Sequence, residues 1–140
     1  MRGLPGTCGC SVAKLVPRAE APPEVQAVFD DIQATRGVPD VNNFWKALAV
    51  HPPTLARTWE GLKAAMAPGT LDPLTKEMLY LAASAAVGCA YCVASHTAAA
   101  RARGMTDAMH GELLAVIAMA AQTNRLAEAL RVPVDSAFED

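Results

Sequence analysis

Three side chains in one short segment can do redox chemistry together: Cys89, Cys92 and His96. They stand at positions i, i+3 and i+7, which places them on one stripe of a helix. One thiolate of such a pair attacks an oxidant or a disulfide, and the second thiol resolves the product as an intramolecular disulfide. A histidine one turn further on can hold or move the proton. The spacing therefore predicts a redox-active dithiol.

Two neighbouring features tune this dithiol. Cys89 follows Gly88 at a predicted helix start, where unpaired backbone amides and the helix dipole favour a thiolate. We therefore expect the pKa of both thiols to fall below the usual ~8.5. Glu77 lies twelve residues before Cys89, on the preceding predicted helix. If the two helices pack as a hairpin across Gly88, the Glu77 carboxylate faces His96 and fixes its tautomer.

Two other interpretations of the same residues stay open at this point. Buried cysteines are common small core residues, with no chemistry attached. Cys-x2-Cys-x3-His also offers three zinc ligands. The fourth ligand would come from one of several scattered candidates: Glu77, His51, His110 or an N-terminal cysteine. No downstream Cys or His pair completes a usual structural site, and three ligands on one helical stripe converge poorly on a tetrahedral ion. We expect no metal and no cofactor besides the Cys89–Cys92 disulfide.

The secondary-structure elements that must position these residues are all predicted to be helices. Apolar residues recur at helical spacing between helix-starting and helix-ending residues, and no alternating strand pattern of useful length occurs. Three helices are predicted in the first half of the chain: from Pro22-Pro23 to Gly37, from Asn42 or Asn43 to Val50, and over Thr54–Ala67. Three more are predicted in the second half: from Asp72-Pro73 to about Val87, from Cys89 to about Arg103, and from Thr106 to Arg131. The last of these is either continuous or restarts near Asn124. His51-Pro52-Pro53 is expected to end the helix that precedes it. The prediction is an all-α fold of about six helices, with the Cys pair at the start of a central helix.

Length and composition limit the classes of function. The 140 residues suit one domain, and we expect a flexible lead-in over 1–21, a helical domain over 22–134 and a short tail over 135–140. A net charge of −2 offers no basic footprint for nucleic acid. The longest apolar stretches reach about half of the ~18 residues that a membrane span needs, and no apolar core of a secretory signal follows Arg2. A cytoplasmic protein without membrane partners is the expectation.

The apolar content points to self-association. Hydrophobic residues make up 52% of the chain and charged residues 19%, so we expect some apolar surface to be buried between subunits. The remaining notable side chains have ordinary structural interpretations: Cys8 and Cys10 in the lead-in, His51 at a helix end, His110 on the last helix, and Trp45, Trp59, Met66 and Met119 as core or interface. Ser84 and Tyr80 can either face the dithiol or serve helix packing.

Glu77-x11-Cys89-x2-Cys92-x3-His96, with helices on both sides, resembles the alkylhydroperoxidase D-type branch of the carboxymuconolactone decarboxylase superfamily. The similarity is strongest over Leu74–Gly104, and the run Cys-Ala-Tyr-Cys-Val-Ala-Ser-His-Thr-Ala-Ala-Ala-Arg is typical of that branch. Asn124-Arg125 followed by Leu126-Ala127 fits more loosely. The resemblance covers about Pro23 to Val134.

This resemblance implies an all-helical chain that assembles as trimers or hexamers and acts as a thiol peroxidase or disulfide reductase without metal or haem. It implies that Cys92 attacks a small hydroperoxide and that Cys89 resolves the product. His96 and Glu77 would form the proton relay. The oxidised pair would be reduced by an external dithiol, lipoyl-like or thioredoxin-like.

One position departs from the best-studied enzyme of this branch. Tyr91 stands between the cysteines where that enzyme has a second histidine. A tyrosine near its reference pKa of ~10 cannot act as a base at neutral pH, although its hydroxyl can orient a water molecule or donate a hydrogen bond. We therefore expect an auxiliary role for Tyr91. The decarboxylase branch lacks the Cys pair, so lactone decarboxylation is not expected. The alternatives are a disulfide reductase serving a partner peroxidase, and a non-enzymatic redox or zinc-binding helical module.

Overall fold

The computed structural model describes residues 13–138, and within that range every regular element is a helix. The predicted all-α fold is confirmed. The chain divides after Ala65 into two compact units, which are described separately. The predicted limits of lead-in, domain and tail stay predictions, and Cys8 and Cys10 lie outside the described residues.

The first unit contains three α-helices, α1 (Pro23–Arg36), α2 (Asn43–Leu48) and α3 (Pro52–Met66, whose last residue passes the boundary). A single 3-10 turn, Arg18–Glu20, precedes them. As predicted, the short helix before His51-Pro52-Pro53 ends there, and residues 49–51 separate it from α3, but α3 begins at Pro52 rather than at the predicted Thr54. Proline suits the first turn of a helix, where its missing N–H would have had no partner.

The core of the first unit is aromatic. Phe29, Trp45, Leu55 and Trp59 are all at most 2% exposed, and the two tryptophan rings meet edge to face with centroids 5.4 Å apart. The buried indole of Trp59 donates its N–H to Asp31 Oδ2 at 2.6 Å, so the large apolar side chain carries no unsatisfied donor. The predicted core role of both tryptophans is confirmed.

The second unit contains α4 (Pro73–Ala86), α5 (Ala90–Ala102) and α6 (Asp107–Leu130), followed by a 3-10 turn, Ser136–Phe138. Helices α4 and α5 pack against each other as a hairpin, and α6 packs on α4. The predicted caps are confirmed, since Asp72 accepts from the backbone N–H of Thr75 and Thr106 from that of Met109. Helix α6 continues without interruption through Asn124.

The core of the second unit is small. Its buried members are Leu81, Ala100 and Met105. Much of α6 lies outside this core: Val116, Met119, Leu126 and Leu130 are each more than half exposed. Across residues 13–138, no helix combines the length and the apolar character that crossing a membrane requires.

Candidate redox site

The turn between α4 and α5 fixes where the first sulfur lies. Gly88 adopts a left-handed φ of 74°, which a residue without a Cβ adopts at no steric cost. The backbone N–H of Cys89 donates to the carbonyl of Ser84 at 3.0 Å, and the N–H of Gly88 donates to that of Ala85 at 3.2 Å. These two bonds form a Schellman motif, which closes the C-terminus of α4.

Cys89 also begins the next helix. Its Sγ accepts the backbone N–H of Cys92 at 3.3 Å, and Cys89 is thereby the N-cap of α5. A serine or aspartate oxygen usually makes this bond. The main chain of Cys89 therefore closes α4 while its side chain opens α5, and the sulfur lies at the positive end of a helix dipole.

The two thiols differ in acidity. Hydrogen bonds from the Cys92 thiol and from backbone N–H groups lower the pKa of Cys89. The interaction with Cys89, followed by desolvation, raises the pKa of Cys92. The expectation of two lowered pKa values is thus confirmed for Cys89 and wrong for Cys92. Once Cys89 carries the negative charge, a second charge on the neighbouring sulfur is disfavoured.

The predicted juxtaposition of Glu77 and His96 is present in the structure. Glu77 Oε2 lies 2.7 Å from His96 Nδ1, and Glu77 is only 5% exposed. Burial alone would raise the pKa of the Glu77 carboxyl. The hydrogen bonds and charges of His96 and Arg103 outweigh that effect and hold the pKa below its ordinary value. The hairpin across Gly88 thus brings a buried carboxylate to the imidazole.

Arg103 is a neighbour of this pair that the sequence analysis did not single out. Its Nε donates to the second oxygen of Glu77, Oε1, at 3.3 Å. Arg103 lies seven residues after His96, which continues the stripe of Cys89, Cys92 and His96 along α5. That spacing is the signal that would have pointed to it, whereas a basic residue in a last helical turn usually indicates only dipole compensation.

Two residues left open by the sequence also face the site. The Tyr80 ring stacks on the His96 imidazole with centroids 3.7 Å apart and planes 21° apart. Ser84 is buried, and its hydroxyl interacts with the Cys92 sulfur in the direction that lowers the pKa, which partly offsets the rise described above. Tyr80 thus covers one face of the imidazole, and Ser84 contacts the less acidic thiol.

The remaining candidates, Tyr91, His51 and His110, make other contacts. The Tyr91 side chain is 45% exposed, and its backbone N–H assists the Cys89 sulfur. His51 Nδ1 lies 2.8 Å from Thr54 Oγ1 at the start of α3. His110 is half-buried on α6. Within residues 13–138, no three His, Cys, Asp or Glu side chains are arranged to hold a metal ion.

This arrangement supports dithiol chemistry. Two thiols, of which Cys89 has the lowered pKa, stand one helical turn apart, and both are partly exposed. The imidazole that follows Cys92 by one turn is tied to a buried carboxylate through one nitrogen, which leaves the other nitrogen for proton exchange. The site therefore combines two neighbouring thiols with an imidazole that contacts a buried carboxylate.

Comparison with known proteins points to one family. The family model described as "Carboxymuconolactone decarboxylase family" matches residues 52–135, which is more than half of the chain. A crystal structure of the alkylhydroperoxidase AhpD core from Rhodospirillum rubrum ATCC 11170 is 57% identical, with a TM-score of 0.88. The alignment covers 93% of this chain and 98% of that one. The comparison with curated proteins found no match.

This chain therefore belongs to the carboxymuconolactone decarboxylase family. Within that family it is an AhpD-like member, as the sequence resemblance implied. The structure adds the acidity difference between the two sulfurs and the role of Arg103 as a contact of Glu77.

Proposed function

We propose that this protein is a thiol-dependent peroxidase of the alkylhydroperoxidase type, in which Cys92 reacts with a small hydroperoxide and Cys89 resolves the product. The observation that carries the proposal is the geometry along α5: Cys89 Sγ caps the helix by accepting the Cys92 N–H at 3.3 Å, and His96, in contact with the buried Glu77, stands one turn after Cys92. The Cys92 thiol, whose pKa is raised beside Cys89, needs a base before it can attack.

His96 and Glu77 supply that base. His96 stands one turn after Cys92 on α5 and is tied to Glu77 through Nδ1. The proton of the Cys92 thiol passes to the imidazole, and the resulting positive charge is stabilised by the Glu77 carboxylate. In this proposal the imidazole and the carboxylate act together as the proton relay of Cys92.

The peroxide step balances as follows. The Cys92 thiolate attacks one peroxide oxygen, the O–O bond breaks, and the alkoxide leaves as an alcohol after taking the proton from His96. Cys92 becomes a sulfenic acid. The Cys89 thiolate then attacks the Cys92 sulfur, the S–O bond breaks, and hydroxide leaves as water after taking a proton. The product is the Cys89–Cys92 disulfide, which is the redox centre that we propose in place of a metal or other cofactor.

Reduction closes the cycle. One thiolate of an external dithiol, lipoyl-like or thioredoxin-like, attacks the Cys92 sulfur and displaces Cys89. Cys89 is the better leaving group because its pKa is lowered. The second thiol of the reductant then displaces Cys92, so two electrons enter and a new disulfide leaves.

Trapping of the sulfenic acid tests the assignment of the two cysteines. Cys89→Ser and Cys92→Ser are each treated with cumene hydroperoxide and a sulfenic-acid probe, and the adduct is located by mass spectrometry. We expect an adduct on Cys92 in Cys89→Ser and none on Cys89 in Cys92→Ser. The reverse pattern would contradict the assigned roles. A wild-type dithiol that no hydroperoxide oxidises would contradict the peroxidase function.

A disulfide reductase acting on a partner peroxidase is the second candidate. A thiolate that caps a helix, as Cys89 does, is also the arrangement of thiol–disulfide oxidoreductases. In that case a disulfide substrate oxidises the pair quickly, whereas hydroperoxides do so slowly. The two rate constants, measured side by side on the wild-type protein, separate the two candidates.

We also propose that the functional protein is a homo-oligomer, a trimer or a hexamer, assembled in the cytoplasm. Four exposed apolar residues on α6 share one face by their helical spacing: Val116, Met119, Leu126 and Leu130. A second copy of the chain covering this face would account for the high apolar content. Met119→Glu is expected to shift the sedimentation of the protein toward the monomer, whereas Ala121→Glu, on the opposite side of α6, is not. A monomeric wild-type protein would contradict this proposal.

A further inference from the structure

The two oxygens of the Glu77 carboxylate have different partners, His96 and Arg103. Arg103 Nε donates to Oε1 at 3.3 Å, while Oε2 lies 2.7 Å from His96 Nδ1. Dithiol chemistry as proposed requires the carboxylate and the imidazole but no guanidinium. The Arg103 side chain is 47% exposed, whereas that of Glu77 is 7% exposed, so a nearly buried anion is held by a cation that reaches it from the surface.

The proton between Glu77 and a neutral His96 can be placed in two ways. Either the ionised carboxylate accepts from Nδ1–H, or a protonated carboxyl donates to Nδ1. In the first arrangement Nε2 has a free lone pair and can accept a proton from a thiol. In the second arrangement Nε2 carries the hydrogen and cannot accept one. Burial favours the second arrangement because it disfavours the charged carboxylate.

We propose that Arg103 is a positioning residue that keeps Glu77 ionised and thereby keeps Nε2 of His96 free to accept a proton. A guanidinium stays protonated at every pH of interest, so it holds the anion even while the imidazole is neutral. The consequence for catalysis rests on the proposed function, but the placement of the proton does not.

The other charged groups around Glu77 have different partners. From α5, His96 and Arg103 act on the carboxyl. On α4, the neighbouring Lys76 directs its ammonium to the carbonyl of Ala67. The first turn of α6, the other helix packed on α4, brings Asp107, which pairs with Arg101 at 2.7 Å, and His110 follows it. Arg103 is thus the side chain that contacts Glu77 with a positive charge at every pH of interest.

The tautomer of His96 provides the direct test. Reduced protein is labelled with [15N]histidine, and the two ring nitrogens of His96, identified by comparison with His96→Gln, are followed from pH 5 to 8. Arg103→Gln and Arg103→Ala remove the charge, and Arg103→Lys keeps it. Arg101→Gln is the matched control, because it removes a charge from the same helical turn without touching Glu77.

We expect the Nδ1–H tautomer to predominate in the wild type, in Arg103→Lys and in Arg101→Gln. In the two charge-removing variants the ratio of the tautomers should move toward Nε2–H by about tenfold, the low end for a carboxylate that loses an adjacent arginine. Charge-removing variants that fold and keep the wild-type ratio would overturn the inference, as would an equal change in Arg101→Gln.

The rate of disulfide formation with cumene hydroperoxide separates this inference from the proposed function. Arg103→Gln should lose rate near pH 6 in proportion to the fall in its Nδ1–H fraction, about twofold when the ratio of tautomers falls from about 10:1 to about 1:1, whereas Arg103→Lys should keep the wild-type rate. A wild-type protein without peroxide reactivity would defeat the proposed function while the tautomer ratio still decides the role of Arg103. An unchanged rate in a variant whose tautomer has shifted would overturn the catalytic part of the inference.

Discussion

The two units of this protein use their side chains in opposite ways. The first buries large aromatic and aliphatic residues, among them Phe29 and Trp45. The second has a core built from Leu81, Ala100 and Met105, and the side chains it buries beside them include the polar Glu77 and Ser84. Buried polar groups cost free energy unless they are paired, and here both face the redox site.

The residues that contribute most to stability and the residues of the candidate redox site therefore lie in different parts of the chain. The described contacts of the thiols, Glu77 and His96 lie within α5 or between α4 and α5, while the aromatic packing lies between α1, α2 and α3. Substitutions in the first unit should therefore change the free energy of unfolding and leave thiol reactivity alone. Substitutions at the site should change thiol reactivity far more than the free energy of unfolding, and a residue with equally large effects on both would contradict the comparison.

The largest effect on stability is expected at Trp45. Trp45→Ala removes a ring that is 1% exposed, and it should lower the free energy of unfolding by about 3–5 kcal/mol because a cavity is left in the core. Urea denaturation of the reduced protein measures this loss. Phe44→Ala is the matched control, since the neighbouring ring is 40% exposed. An equal loss at Phe44 would show that burial does not explain the effect.

Glu77→Gln should have a smaller effect on stability and a large one on activity. It leaves His96 and Arg103 without an anionic partner, which should cost about 1–3 kcal/mol, toward the low end because Arg103 is half-exposed. Loss of the relay should slow oxidation by hydroperoxide about 100-fold. The free energy of unfolding and the rate of disulfide formation are measured on the same sample, and an unchanged rate would contradict the relay.

The same carboxyl gives the wild-type protein a defined response to acid. The pKa of Glu77 is lowered in the folded state from its ordinary 4.5, so its contribution to stability is complete above that value. The contribution is lost as the pH falls through the lowered pKa, because protonation then favours the unfolded chain. Glu77→Gln should therefore lose less stability than the wild type on acidification below pH 4.5, as followed by urea denaturation across that range.

A smaller effect is expected at Tyr80. Tyr80→Leu removes the ring that stacks on His96, a contact worth about 0.5–1.5 kcal/mol for aromatic pairs and at the low end here because Tyr80 is partly exposed. The ring-current shift of the His96 protons should disappear in Tyr80→Leu and persist in Tyr80→Phe. If Tyr80→Phe also lost it, the stacked geometry would not be the cause.

The smallest effect is expected at the helix cap. Cys89→Ala removes the acceptor of the Cys92 amide, so that amide should exchange with solvent several-fold faster. Cys89→Ser keeps an acceptor and should leave exchange near the wild-type rate. Equal exchange in the two variants would mean that the sulfur does not cap α5.

Much of this fold could be predicted because its signals are local. Asp72-Pro73 marks the start of α4 and Thr106 that of α6, since a capping oxygen and a proline act within one turn. The predicted start of α3 is two residues late, at Thr54 rather than Pro52, because a proline is typical both of the end of a helix and of a first helical turn. The Glu77–His96 pair could be predicted because a hairpin across a single glycine leaves little freedom in register.

The remainder of the site depends on geometry that spacing does not contain. Either sulfur of a Cys-x-x-Cys pair can hold the charge, and the outcome is decided by the turn that makes Cys89 the cap. Arg103 lies on the right stripe, but its reach to a carboxylate on α4 depends on the packing of the two helices. The stacking of Tyr80 on His96 is likewise a tertiary contact.

Cys89, the resolving thiol of the proposed function, is also the N-cap of a helix. In the reduced state its sulfur completes the first turn of α5, and a disulfide would take from that turn its anionic acceptor. In each proposed catalytic cycle the first turn of α5 would then loosen and re-form. Oxidation would therefore change the conformation of the backbone in this turn as well as the bonding of the sulfurs.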